Sequence, residues 1–292
     1  MNLFSFFRSE RLDTDWKYIA NGLIWRLLFT ESGRVVGECR NQDKKTVSFF
    51  CLDEESGNPL WQDLNLEESW WVGIEAVLDD TVLFHSYASP DMPEHRGIRA
   101  YDTRTGILRW RNDDATFWFG FGDRVFAYRD LFEKRVGYEI GLQTGELKAT
   151  FDESLQELHA LRREAIDSQP ASEVTPPEIL TDNALDPSML ALVNRTARGK
   201  KIAGSVEYVK QNDVLAFNYH ILARTPAVQS QSFENHLFVY RLPQGTCVFS
   251  DIIGRDLKAH VPDSFFVRRS RLFFVKDQHT LTALRLWKGE KP

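Results

Sequence analysis

Most of the chain reads as short segments in which apolar and polar positions alternate, the period of a strand with one face buried. Leu23–Thr30, Arg34–Arg40, Thr46–Leu52 and Pro59–Leu64 form a first group of such segments. Trp70–Leu78, Thr81–Tyr87, Gly97–Tyr101 and Ile107–Arg111 form a second, and Thr116–Phe121, Arg124–Asp130, Arg135–Ile140 and Glu146–Thr150 a third. A fourth group holds Ala203–Val209, Val214–Leu222, His236–Arg241 and Cys247–Ile252. The last holds Ser264–Arg268, Leu272–Lys276 and Thr280–Leu286, one strand short. The period changes only in an insertion over residues 152–201. There Leu155, Leu158, Leu161 and Ala165 fall near helical spacing, Pro170–Pro177 reads as a loop, and Asp186-Pro187 supplies an N-cap and first-turn pair for a helix through Val193. Two short helices covering part of one face are expected.

The groups repeat. Cys51–Trp61, Ala100–Trp110 and Tyr138–Lys148 each read strand, tight turn, strand, with Gly57, Gly106 and Gly145 where a turn needs positive φ; Val239–Phe249 around Gly245 is a weaker copy. Asp102, Thr103 and Thr105 are placed to bond turn amides. The glycines are 49, 39 and 100 residues apart (57 to 106 to 145 to 245), and the long interval holds one unit plus the insertion. Units of about 40–50 residues with four strands each are the mark of propeller blades. The expected fold is therefore all-β, a single β-propeller of about five four-stranded blades over residues 1–292. Its last blade is closed by an N-terminal strand around Asp15–Ala20, with Trp16 at the equivalent of Trp110. Closure of this kind leaves no long unpaired edge.

The segment Ala100-Tyr-Asp-Thr-Arg-Thr-Gly-Ile-Leu-Arg-Trp110 resembles the tryptophan-docking repeat of quinoprotein (PQQ-type) propellers, and the likeness points to an uncharacterised bacterial branch of that superfamily. The resemblance implies that Trp61 and Trp110 pack against the neighbouring blade. Lys148 and Phe249 stand where later copies have lost the Trp. It does not imply the quinone chemistry. The chain has too few blades, no adjacent cysteines and no evident calcium-and-quinone site, and repeat likeness concerns packing.

Composition narrows the function classes. Net charge is −6, so no broad basic surface calls for nucleic acid or an anionic membrane. The apolar run Leu3–Phe7 is too short for a leader or a span. Cys39, Cys51 and Cys247 have neither metal-ligand nor disulfide spacing, which fits a cytoplasmic protein with inert thiols. No nucleophile elbow, phosphate loop, zinc spacing or calcium loop is present, and neither a metal nor a cofactor is expected.

Candidate residues come from aligning the second strand of each group. Tyr87 corresponds to Arg40, Asp130, His220 and Asp277, and two residues earlier stand His85, Glu38, Tyr128, Asn218 and Val275. Arg40, His85, Tyr87, Asp130, His220 and Asp277 are the expected ligand-binding set, gathered around one funnel mouth; the plainer reading is that strand ends turn polar where they meet water. The loop Pro90–Arg96 holds Asp91, Glu94, His95 and Arg96 over the same end, with charges that pair with neighbouring blades as the plainer reading. Glu75, Glu207, Arg26, Arg268 and Arg269 fall on innermost strands, where they would line a channel. The expected function is a non-catalytic binding or scaffold propeller that takes an unknown protein or small polar ligand on its loop-rich face. The competing function is a carbohydrate-active hydrolase or lyase using carboxylate and His groups at the funnel, by analogy of fold alone.

Overall fold

The computed structural model describes residues 11–90, 92–152, 155–169, 172–181, 186–223 and 231–287. Leu3–Phe7, Asp91 and residues 224–230 of the long fourth-group loop lie outside them. The chain divides into two compact units, one of residues 20–171 and one of residues 1–19 with 172–292.

Among the described residues the strands form five antiparallel sheets, three of four strands and two of five. The N-terminal strand β1 (Thr14–Ile19) belongs to the second unit. In the first unit, β2 (Leu23–Phe29), β3 (Arg34–Asn41), β4 (Thr46–Asp53) and β5 (Pro59–Leu64) make the first sheet. The second sheet is β6 (Val72–Leu78), β7 (Thr81–Tyr87), β8 (His95–Asp102) and β9 (Leu108–Asn112). The third is β10 (Thr116–Phe121), β11 (Arg124–Asp130), β12 (Arg135–Gly141) and β13 (Leu147–Phe151), and helix α1 (Gln156–Asp167) packs Leu158 and Ala165 against its Phe119 and Phe126.

The second unit carries β14 (Val174–Thr175), β15 (Glu178–Ile179), helix α2 (Pro187–Thr196), β16 (Ile202–Gln211), β17 (Val214–Leu222), β18 (Phe233–Arg241) and β19 (Thr246–Leu257). It ends with β20 (Phe265–Arg268), β21 (Arg271–Lys276) and β22 (Thr280–Arg285). Its sheets run β15-β16-β17-β18-β19 and β1-β22-β21-β20-β14. The N-terminal strand completes the last sheet as expected: Trp16 pairs with Ala283 and Ile19 with Thr280, and the buried Trp16 ring meets Phe273 edge-on at 5.8 Å. The stretch Pro170–Pro177, expected to be a loop, instead contributes the short edge strand β14, and β15 follows it directly, so that each sheet of this unit gains one. The two helices belong to different units: α1 covers the third sheet, and α2 packs Leu192 and Val193 onto Tyr219 and Tyr240. Asp186 caps α2, its Oδ1 accepting from the amides of Ser188 and Met189.

At the hairpin end of the first unit the repeat is packing chemistry. The Trp61 indole N–H donates to the carbonyl of Thr103 at 2.8 Å, and that of Trp110 to Leu142 at 2.7 Å. Each ring lies on the glycine of the following repeat. A Cβ on Gly106 would sit 2.9 Å from Trp61, and one on Gly145 2.6 Å from Trp110, with φ of +68° and +71°. These two positions thus need glycine for both the turn and the close approach. Asp102 Oδ1 accepts from the amides of Arg104 and Thr105, as expected. Phe249 retains an aromatic contact, 5.8 Å from Phe274, whereas Lys148 is exposed.

Candidate functional site

The opposite ends of the same strands behave differently. In each sheet of the first unit the hairpin of the first two strands carries one unpaired residue. Ile24 pairs with Cys39 and Arg26 with Glu38, leaving Trp25; Ile74 pairs with Phe84 and Ala76 with Leu83, leaving Glu75; Phe117 pairs with Ala127 and Phe119 with Phe126, leaving Trp118. Such bulges bend the strand and re-aim the extra side chain. Each of the three meets the residue just beyond the bulge on the second strand. Trp25 lies against the Arg40 guanidinium at 5.5 Å, Glu75 Oε2 is 3.0 Å from His85 Nδ1, and Trp118 meets Tyr128 edge-on at 5.9 Å. Counted from the bulge, Arg40 is therefore equivalent to His85 and Tyr128, not to Tyr87 and Asp130 as the alignment from the hairpin turn has it. The first hairpin has more paired rows between its turn and its bulge, which displaces the count.

The second sheet alone turns this arrangement into a titratable cluster. Glu75 on β6, His85 on β7 and His95 on β8 bring Oε2 and two ring nitrogens within 4.8 Å of one another. His95 Nδ1 is 2.7 Å from Glu75 Oε2, and the two imidazoles stack at 3.5 Å and 10°. His95 is not in a loop, as expected from the sequence, but opens β8 opposite Tyr87. A second irregularity between the Phe84 and Ser86 pairings, at Gly97 with φ +78°, brings β8 into this register. Tyr87 stands edge-on to both imidazoles at 5.3 Å, and Trp71 edge-on to Tyr87 at 6.0 Å.

The first sheet supplies the flank. Glu38 is buried, accepting from the Arg40 Nε at 2.7 Å and from the amide of Ile74 at 3.0 Å. Arg40 also donates to the carbonyl of Val72 at 2.8 Å, and its guanidinium lies 5.5 Å from the Trp25 ring and 5.2 Å from the Trp70 ring. Over Gly73 a Cβ would fall 3.0 Å from His85 Nε2 and 3.2 Å from Glu38 Oε2, so only the absent side chain leaves space between them.

His85 is 3% exposed, yet neither ring nitrogen has a hydrogen-bond partner among the described residues; the Nδ1 contact with Glu75 lies off the hydrogen-bond line. Burial pushes the His85 imidazole below its ordinary range, partly offset by Glu75. For Glu75, burial acts to raise the pKa, but contact with His85 and His95 outweighs it and holds the carboxyl down at about 2. A buried nitrogen without a partner costs about 1–3 kcal/mol.

Arg40, His85 and Tyr87 of the expected set thus come together at one end of the first unit. Asp130 is exposed and engaged in a two-point ion pair with Arg135, at 2.6 and 2.9 Å, which lowers its pKa and unsuits it to proton donation. His220 and Asp277 belong to the second unit. His220 is buried and its Nε2 accepts from the amide of Val261 at 3.3 Å, beside His260 at a ring separation of 5.1 Å. Burial, with His260 and His236 nearby, pushes its pKa down to about 4. Asp277 is a turn residue at φ +49° whose Oδ1 accepts from the amide of Arg255. In the same unit burial raises the pKa of Glu207, whose Oε1 accepts from the amide of Asp263. Cys39 and Cys51 are buried thiols pushed up by burial to about 12, whereas Cys247 is exposed. Among the described residues no helix is long and apolar enough to cross a membrane.

A family model described as a domain of unknown function (DUF4905) matches residues 29–110, the stretch that holds Glu38, Arg40, Glu75, His85 and His95. No curated protein sequence matches the chain. Similar solved structures include a europium-containing methanol dehydrogenase, at 11% identity and a TM-score of 0.33, over 95% of this chain and 54% of that one. The chain therefore spans about half the length of that enzyme. A member of the DUF4221 family from Bacteroides vulgatus is 12% identical with a TM-score of 0.31, covering 94% of each chain. The β-propeller domain of the Trilobed protease from Pyrococcus furiosus is 8% identical with a TM-score of 0.32, over 92% of this chain and 85% of that one.

Proposed function

We propose that the five sheets are blades of one quinoprotein-like β-propeller, and that the chain is a non-catalytic binding protein of a reducing compartment. Its ligand is a small polar molecule or polar group received at the His85 end of the second sheet. The observation that carries this reading is His85, buried with no partner for Nε2 and only an off-line contact of Nδ1 with Glu75, in the middle of Glu38, Arg40, Glu75, His95 and Tyr87. A core selected for packing alone would fill such a position with an apolar side chain or give the imidazole a partner. Charge of both signs beside aromatic edges suits polar recognition. Glu75 is held as an anion by the two histidines, and Glu38 is paired with Arg40, a binding role more than a proton-donating one.

The test is the unfolding free energy of His85→Leu in urea. If the imidazole is kept for a ligand, the apolar replacement leaves stability unchanged or raises it by roughly 1 kcal/mol. A loss of about 2 kcal/mol or more would make His85 a structural core residue and remove the basis of the proposal. A thermal-shift screen of small carboxylates, phosphates and sugars on both proteins supplies the ligand class, since only the wild type should be stabilised by mass action.

A further inference from the structure

We propose that Glu75, His85 and His95 form a binding site for a divalent first-row transition-metal ion, with His85 Nδ1, His95 Nδ1 and Glu75 Oε2 as ligand atoms. The inference deepens the ligand reading above and rests on it. Two imidazoles and one carboxylate are a borderline N/O donor set that suits zinc or iron(II) better than calcium or magnesium, which favour all-oxygen shells.

Four observations converge. The three ligand atoms come from three adjacent strands of one sheet and all lie within 4.8 Å of one another. Glu75 Oε2 stands 3.0 Å from one Nδ1 and 2.7 Å from the other. Ligand atoms bound at about 2.0–2.1 Å around a tetrahedral ion are separated by roughly 3.3 Å, so small rotations that splay the stacked rings admit the ion. Next, His85 is 3% exposed and neither ring nitrogen makes a hydrogen bond to any described residue, its one polar contact being the off-line approach of Nδ1 to Glu75 within the cluster, so the buried ligand is not committed elsewhere. The third observation is an outer shell. Glu38, fixed by Arg40 and the Ile74 amide, faces the same space over Gly73 as His85 Nε2, where it can orient the imidazole as carboxylates do behind metal-bound histidines. Finally, the His95 side chain is 31% exposed and Glu75 17%, so the cluster opens to solvent on one side. Three protein ligands with an open side leave a coordination position for an exchangeable ligand, which joins the metal to the polar-ligand role of this end of the sheet.

The competing account is a proton-held cluster, in which His95 donates to Glu75 and no ion enters. Isothermal titration of chelator-treated, full-length protein with zinc separates the two, with cobalt(II) absorption reporting the ligand field. One zinc per chain at micromolar affinity or tighter is expected, and a cobalt spectrum of low coordination number. Glu75→Gln and His95→Ala should each weaken zinc binding at least tenfold, the range seen when metal-site partners are removed. Both positions are partly exposed, and circular dichroism checks their folding. His236→Ala, which removes a histidine paired with Glu234 at 3.0 Å in the other unit, should leave zinc binding unchanged. Absence of zinc binding, or binding unmoved by Glu75→Gln and His95→Ala, overturns the metal site. If His85→Leu is nonetheless as stable as wild type, the polar-ligand reading survives with a metal-free ligand; if it is strongly destabilised, both fall.

Discussion

Within residues 20–171 the two ends of the same strands follow opposite rules. At the hairpin end the repeat is conserved as a device: Trp61 on Gly106 and Trp110 on Gly145, each indole N–H on the carbonyl of a neighbouring turn. At the far end the backbone device also repeats, a bulge residue against the residue just beyond it, but the chemistry does not. Trp25 with Arg40 and Trp118 with Tyr128 close on themselves through ring contacts, whereas Glu75 with His85 leaves a buried imidazole unspent. Equal geometry with unequal side chains separates what the scaffold requires from what it displays.

The hairpin end should be the most costly to disturb. Trp110→Ala is expected to lose roughly 3–5 kcal/mol in urea unfolding, as for other large core aromatics, with Trp61→Ala losing less because that ring is only half-buried. A melting temperature unchanged in Trp110→Ala would dissolve the contrast between the two ends.

A histidine that is spent elsewhere sharpens the comparison through pH. His220 accepts from the Val261 amide as a neutral ring and titrates near pH 4, against 6.5 for the ordinary side chain. Above pH 6.5 neither state binds this proton and the group contributes nothing. Between 6.5 and 4 only the unfolded chain is protonated, so stability falls with pH, by about 3 kcal/mol in total at this site. Wild type minus His220→Gln should show that slope when unfolding free energy is followed over this range; parallel curves would deny it.

A smaller effect is expected at the first-sheet bulge. Arg40→Lys keeps the charge but loses the planar fork shared by Glu38 and the Val72 carbonyl and the guanidinium contacts with the Trp25 and Trp70 rings. A loss of roughly 1–2 kcal/mol is expected by chemical denaturation, and full retention of stability would show that Arg40 is displayed, as His85 is, instead of closed.

Much of the strand framework was legible because alternation and the Gly-Trp spacing are local signals. Asp102, Gly106 and Trp110 state a turn and its docking ring within one short segment, and Trp16 revealed the N-terminal strand by standing nine residues before Trp25, much as Trp110 stands eight before Trp118. Register past a bulge was not legible. The first hairpin has more paired rows between its turn and its bulge than the second, which shifts Arg40 against His85 in a count from the turn, and no composition or periodicity marks it. His95 was read as a loop residue because Pro90 and Pro93 precede it, yet pairing to Tyr87 extends β8 back to it. Glu75 was recognised on the first strand of its sheet but not as the partner of His85, since that contact requires the bulge. The two short strands β14 and β15 were hidden by flanking prolines, and edge pairing supplied them from the partner sheets.

The central claim, that the far end of the second sheet is kept for a ligand at the expense of packing, meets its most direct test in two variants unfolded side by side. His85→Leu removes an imidazole that makes no hydrogen bond to a described residue; His220→Leu removes one that accepts from the part-buried Val261 amide and would leave that N–H without this acceptor. The account predicts no loss, or a gain of about 1 kcal/mol, for the first and a loss of roughly 1–3 kcal/mol for the second, both measured by urea unfolding at pH 7.5 or above, where neither native imidazole carries a proton. Equal losses in the two variants would contradict it, because His85 would then be as much a part of the packed core as His220.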